Sequence, residues 1–129
     1  MSRTINPKGW ARPVGFSHGV LSTGRVLAVA GQVGADREGR LAAGLVPQFD
    51  QALGNVAEVV AAGGGRIDDV VSMTIYVLDR AAYLVARPAL GEVWRRRAGR
   101  HYPAIALVEV RGLVTEGALV ELQALAVLP

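Results

Sequence analysis

Three consecutive glycines, Gly63, Gly64 and Gly65, separate two segments of opposite periodicity, and that break constrains the fold more than any other feature. Before it, Phe49, Leu53, Val56 and Val60 recur at i, i+4, i+7 and i+11, which places them on one stripe of a helix over 47–62. Gln48, Gln51, Asn55 and Glu58 fall mostly elsewhere. Pro47 suits a first helical turn, and the glycines stop the helix. After the break, "DDVVSMTIYVLD" is rich in β-branched residues. Val71, Met73, Ile75 and Val77 share one face of that strand, and Val70, Ser72, Thr74, Tyr76 and Leu78 the other. A helix that must bury one stripe, followed at once by a strand, calls for helices layered on a sheet.

The flanking segments extend this plan. "VGFSHGV" reads as a short strand, "RVLAVAGQVG" as a strand buried on both faces, and residues 41–43 as a short strand closing a hairpin through "ADREGR". "RAAYLVARPALGEVWRRRAG" is helical, with Leu90, Val93 and Trp94 on one stripe. Pro88 does not belong in a helix interior, so the sequence predicts a turn over 81–84 and a main helix with Pro88 in its first turn. Two final strands, 104–111 and 118–127, are joined by "GLVTEG" as a long-looped hairpin. The expected order is β-β-β-α-β-α-β-β in one domain spanning 1–129: an α+β fold with a six-stranded mixed sheet. Two helices cannot cover both faces of such a sheet. They pack on one face and leave a partly apolar face for a partner.

Composition bears on that uncovered face. Hydrophobic residues are 51% of the 129, with only 5% aromatic. A small chain this apolar has more surface than it can hide alone, so a homo-oligomer is expected. No cysteine is present, which excludes disulfides, thiolate nucleophiles and cysteine-based zinc sites. "MSRTINPKGWARP" has no apolar core of signal-peptide type, and no run reaches the roughly 20 residues of a membrane span, so a cytoplasmic location is expected. The net charge of +3 is weak support for a nucleic-acid partner, and none is expected. Arg95, Arg96 and Arg97 form the dense basic cluster, which reads as a solvated helix end suited to the helix dipole.

The chemistry-bearing residues are few. Glu121 alternates with apolar neighbours in "LVELQAL" and shares a face with Leu119, Gln123 and Leu125, a setting in which a carboxylate can act as a general base. Glu109, near the end of its strand, reads as structural. His18 and His101 lack ligand-type spacing, so no metal site follows. Adjacent strand residues point to opposite faces, so Ser17 and His18 make no catalytic pair. Neither "GGGR" nor "AGQVG" is a phosphate loop. Gly31, after a buried strand, can open the backbone to a ligand or a neighbouring subunit. Asp68 and Asp69 read as a turn before a strand.

Taken together, "GRVLAVAGQVG", "QFDQALGNVAEVVAAGGGRIDDVVSMTIYVLD" and "YPAIALVEVRGLVTEGALVELQALAV" resemble the RidA (YjgF/YER057c) family almost end to end. The resemblance implies a chorismate-mutase-like fold in a homotrimer, with sheets inside, helices outside and three pockets between subunits. It implies hydrolysis of reactive enamines and imines, such as 2-aminoacrylate, to 2-keto acids and ammonia, with no metal or organic cofactor. By the same resemblance Glu121 is the water-positioning glutamate and Gly31 the glycine whose N–H binds a carbonyl. The family's substrate-gripping arginine falls on Ile105, a serine on Ala30, a pocket tyrosine on Phe16 (followed by Ser17), and a helix asparagine on Pro88. Each of these departures removes a polar group. Losing a buried bidentate arginine contact costs on the order of 2–5 kcal/mol in binding. The expected ligand is therefore a small, less acidic or more apolar metabolite, not the usual carboxylate-bearing substrate. Its expected chemistry is hydrolysis or tautomerisation of an imine, enamine or carbonyl compound, with ordinary 2-imino acid deamination and a non-catalytic binding trimer as alternatives.

Overall fold

The computed structural model describes residues 2–129. Its elements run β1 (Ser2–Ile5), β2 (Gly19–Ser22), β3 (Arg25–Val33), α1 (Leu45–Ala62), β4 (Val70–Val77), α2 (Arg80–Ala98), β5 (Ala104–Glu109) and β6 (Val120–Leu128), with a single 3-10 turn at Ile67–Asp69. The order is that expected from the sequence, and the fold is α+β with two helices and mixed sheets. Several placements differ. The first strand is Ser2–Ile5, which pairs antiparallel with β2 as a separate two-stranded sheet. Residues 14–18 are not a strand, because Gly15 takes a positive φ of 79° and turns the chain. The expected strand at 41–43 reduces to one bridge between Ala35 and Leu41.

The main sheet has four strands in the order β3-β6-β4-β5. The last two strands therefore do not form a hairpin. β4 lies between them, parallel to β5 and antiparallel to β6. The crossover through α2 is what permits the parallel pair. Just before β2, Ser17 makes an isolated parallel bridge to Ala104 on β5.

The helical stripe read from the sequence is the core. Phe49, Leu53, Val56 and Val60 are at most 2% exposed and pack against Met73, Ile75, Val77 and Leu122. The glycines end α1 as expected: Gly65 N–H returns to Val60 O at 2.9 Å, and Gly64 takes φ 93°. One face assignment on β4 is corrected. A register shift between Val70 and Ser72 makes Val71 an extra residue, so Val70, not Val71, is buried.

α2 also differs from expectation, since it is one continuous helix with Pro88 inside it. Its N-terminus is fixed early. Asp79 accepts a hydrogen bond from Ala82 N–H at 3.0 Å, and Glu109 accepts one from Arg80 N–H at 2.7 Å. These contacts begin the helix two turns before Pro88, which lies on an exposed position where the missing N–H is tolerated. They also give Glu109 a structural role. Both helices lie on one face of the sheet. The opposite face presents Val26, Leu125 and Val108, exposed by 38–70%. Among the described residues, no helix is long and apolar enough to cross a membrane.

Candidate functional site

Glu121 lies on the uncovered face of the sheet. Its strand neighbours Val120 and Leu122 are fully buried under the helices, so alternation sends Glu121 the other way. The carboxylate is half-buried, and it makes no hydrogen bond or ion pair among the described residues. Tyr76 stands directly opposite on β4, but its hydroxyl donates to Gln123 Oε1 at 2.7 Å instead.

Gly31 explains where the carboxylate goes. Between Val29 and Gln32 the β3–β6 register shifts, so that Ala30 and Gly31 together face the single residue Gln123. This is a β-bulge, a feature that breaks the ladder locally and re-aims the chain. A Cβ added to Gly31 would overlap Glu121 Oε2, with Cδ at only 2.7 Å. The carboxylate thus occupies the space that a side chain at position 31 would need. Ala30 adds only a methyl group at the bulge, and its carbonyl accepts from Gln32 Nε2 at 3.1 Å.

Two polar residues of α1 brace this corner. Buried Gln48 donates from Nε2 to Ala42 O and Gly117 O, both at 3.1 Å, and accepts at Oε1 from Leu119 N–H at 2.8 Å. Asn55 donates from Nδ2 to Val33 O at 3.1 Å and Ala35 O at 2.8 Å. The first brace fixes the entry to β6 two residues before Glu121. The second fixes the exit of β3 two residues after Gly31.

The remaining candidates lie elsewhere in the chain. Ile105 is on β5, the far edge of the sheet from β3, three strand spacings or about 14 Å away. It pairs with buried Met73 and packs towards the helices, opposite in direction to Glu121. With Pro88 it lines a cavity of about 750 Å³ between α2 and β5, together with Tyr83, Trp94 and Leu107. Burial pushes the Tyr83 phenol above its usual range, partly opposed by the Arg87 guanidinium beside it. Phe16 is half-buried and meets His18 edge to face, with ring centroids 5.2 Å apart. Ser17 is 6% exposed, and its hydroxyl donates to Tyr102 O at 2.5 Å, so it holds two loops together. Phe16, Ser17 and Ile105 share a second, open cavity of about 310 Å³ with Ser72 and Thr74.

Within one chain the candidates therefore form two groups: Glu121, Gly31 and Ala30 across the β3–β6 pair, and Ile105, Pro88, Phe16 and Ser17 on the β5 side. The Arg95–Arg97 cluster is also divided. Arg96 and Arg97 pair with Asp50 on α1 at 3.1 and 2.5 Å, while Arg95 turns into the Ile105 cavity.

The family model described as Endoribonuclease L-PSP matches residues 10–128. The 2-iminobutanoate/2-iminopropanoate deaminase of Escherichia coli (strain K12) is 29% identical over 129 residues, covering 98% of both chains. Among solved structures, YyfB from Yersinia pestis, described as a protein of unknown function of the conserved Rid family, has 34% identity and a TM-score of 0.87, with 98% of each chain covered. RidA from the Antarctic bacterium Psychrobacter sp. PAMC 21119 has 28% identity and a TM-score of 0.72, covering 98% of this chain and 99% of that one.

Proposed function

This chain belongs to the RidA/YjgF family, the endoribonuclease L-PSP group, and from that premise we propose that it hydrolyses an imine, or an enamine after tautomerisation, in a site shared between two copies of the chain. The observation that carries the proposal is the half-buried, unpartnered Glu121 carboxylate lying over Gly31 at a β-bulge.

The chemistry follows from that arrangement. A carboxylate without a partner can accept a proton from a water molecule while the water oxygen attacks the carbon of the protonated imine and the C=N electron pair passes to nitrogen. The resulting carbinolamine carries one hydroxyl and one amine on the same carbon. Returning the proton to nitrogen makes ammonia the leaving group, and as the C–N bond breaks the carboxylate takes the hydroxyl proton, which leaves a carbonyl compound. The bulge interrupts the regular ladder at Ala30 and Gly31, and a backbone N–H there suits the carbonyl oxygen that forms as the C–N bond breaks. Gly31 also lets the Glu121 carboxylate lie against the backbone, since no side chain stands there.

Ile105 and Pro88 supply the substrate side. They line an apolar groove that faces away from Glu121 in the same chain. A second copy is needed to bring groove and carboxylate together. The exposed apolar sheet face, with Val26, Leu125 and Val108, is the surface that copies would bury, and a trimer is the assembly we propose. The part of the substrate that lies on Ile105 is apolar, so a carboxylate bound at that position, as in a small 2-imino acid, is disfavoured. The named E. coli relative favours the competing reading of 2-iminopropanoate deamination.

One assay separates them. Carboxylate-free imines are generated in situ by an amine oxidase and 2-iminopropanoate by an amino-acid oxidase, and carbonyl release is followed with and without the protein. The expected result is acceleration for imines with branched or aromatic side chains, little for 2-iminopropanoate, and none with Glu121→Gln. Full activity of Glu121→Gln would overturn the assignment, and family-like rates on 2-iminopropanoate would establish the competing reading.

A further inference from the structure

Tyr76 makes a hydrogen bond that its position does not favour. It stands directly opposite Glu121 across the β4–β6 ladder, and Gln123 lies one pair further along the same face. Directly opposite residues of an antiparallel pair have Cβ atoms about 4.5–5.5 Å apart, while diagonal neighbours are about 7–8 Å apart. A carboxylate is also a stronger acceptor than an amide. Yet the Tyr76 hydroxyl donates to Gln123 Oε1 at 2.7 Å, and Glu121 has no hydrogen-bond partner among the described residues. Two contacts account for this choice. β6 runs between β3 and β4, so the Glu121 carboxylate over Gly31 is turned away from Tyr76. Gln123 in turn holds the phenol on the diagonal.

We infer that Gln123 is a positioning residue: by engaging the Tyr76 hydroxyl it keeps that donor off Glu121, so the carboxylate stays over Gly31 and can accept a proton from water. The inference rests on the proposed function for the role of Glu121 as base, but the contact it describes requires no turnover. Without the Gln123 acceptor, the Tyr76 hydroxyl would turn to the carboxylate opposite. A hydrogen bond to the ionised form favours that form and weakens it as a base, and the pull toward β4 would lift it off the bulge. Tyr76 is the titratable group that β4 brings beside Glu121. β3 brings Ala30, Gly31, Gln32 and Val33, and β6 brings Gln123, all uncharged, while both helices lie on the other face.

The test uses the full chain, with phenylmethanimine generated from benzylamine by a flavin-dependent amine oxidase as the probe of turnover. Gln123→Met keeps the length of the side chain and removes the acceptor. It should lower kcat about tenfold, part of the roughly 10²–10⁴-fold that a general base supplies, and leave KM within about twofold. Adding Tyr76→Phe removes the hydroxyl and should return kcat to within about threefold of wild type, a rescue that a merely structural Gln123 would not give. A second readout needs no turnover. Chains are labelled with carbon-13 at the glutamate carboxyl, and the Glu121 signal is assigned from its loss in Glu121→Gln. Its titration midpoint should fall by about 0.5 pH unit or more in Gln123→Met and return in the double variant. A midpoint that does not move, or a double variant as impaired as the single, would overturn the inference. Full activity of Glu121→Gln would instead end the reading of Glu121 as base, and the carboxyl titration would still decide whether Gln123 holds Tyr76 away.

Discussion

The carboxylate of Glu121 fills the space that a side chain on Gly31 would occupy, so the two residues form one structural unit across β3 and β6. The φ of Gly31 is not positive, so its glycine identity is not a matter of backbone freedom. It is a matter of room. Gly31→Ala should therefore act by driving the Glu121 carboxylate off the bulge. The expected cost is about 1–3 kcal/mol, the range for overpacking. In a Glu121→Ala background the same change should cost much less, because the obstructing atoms are gone. A double-mutant cycle by urea denaturation reads that coupling, and additive costs would separate the two residues.

Gln48 tests the brace beneath the site. It is 3% exposed and satisfies three backbone groups from two loops. Gln48→Leu keeps the bulk but strands the Leu119 N–H and the Ala42 and Gly117 carbonyls. Buried groups left unpaired cost about 1–3 kcal/mol each, so an overall loss of about 2–4 kcal/mol is expected after partial rehydration. Amide exchange at Leu119 should accelerate more than exchange in the α1 core. Unchanged stability would remove Gln48 from this role.

Asp50 joins the helices. Partial burial pushes its carboxyl up, but hydrogen bonds and charge from Arg97 and Arg96 outweigh that and hold it below the usual range. Its folded pKa is thus lower than its unfolded value near 3.9. The unfolded chain binds the proton more readily, so the contribution is present above that value and is lost as pH falls through the folded pKa. Asp50→Asn should lower stability at pH 7 and flatten its dependence on pH between about 5 and 2. An unchanged acid limb would contradict the assignment.

These residues also mark what the sequence reveals and what it hides. The α1 stripe of Phe49, Leu53, Val56 and Val60 was legible because burial repeats with the helical period. The helix stop was legible because three glycines leave little alternative. Gln48 and Asn55 were not, since polar side chains in a helix read as solvated. Their partners are backbone groups up to 71 residues away. The β5–β6 pairing was misread because adjacency in sequence suggests a hairpin, and only tertiary packing inserts β4. The continuous α2 was misread because the penalty for Pro88 is a local rule, offset here by Asp79 and Glu109 at the helix start. At the site, Glu121 and Gly31 were named from the sequence, yet their contact depends on a bulge that no periodicity shows. Arg95 was hidden inside a cluster whose other two members, Arg96 and Arg97, both engage Asp50.

The central claim is that one site is assembled from two copies, Glu121 and Gly31 from one and the groove of Ile105 and Pro88 from the other. Its most direct measurement mixes Glu121→Gln chains with Pro88→Glu chains by co-refolding at equal ratio and assays imine hydrolysis. Each variant alone should be inactive. In the mixture, half the carboxylates and half the grooves are intact, so roughly one quarter of the shared sites should work in a symmetric ring. Activity near that fraction of wild type is the predicted result. Activity no greater than the sum of the separate variants, with mixed assemblies verified by mass, would contradict a shared site.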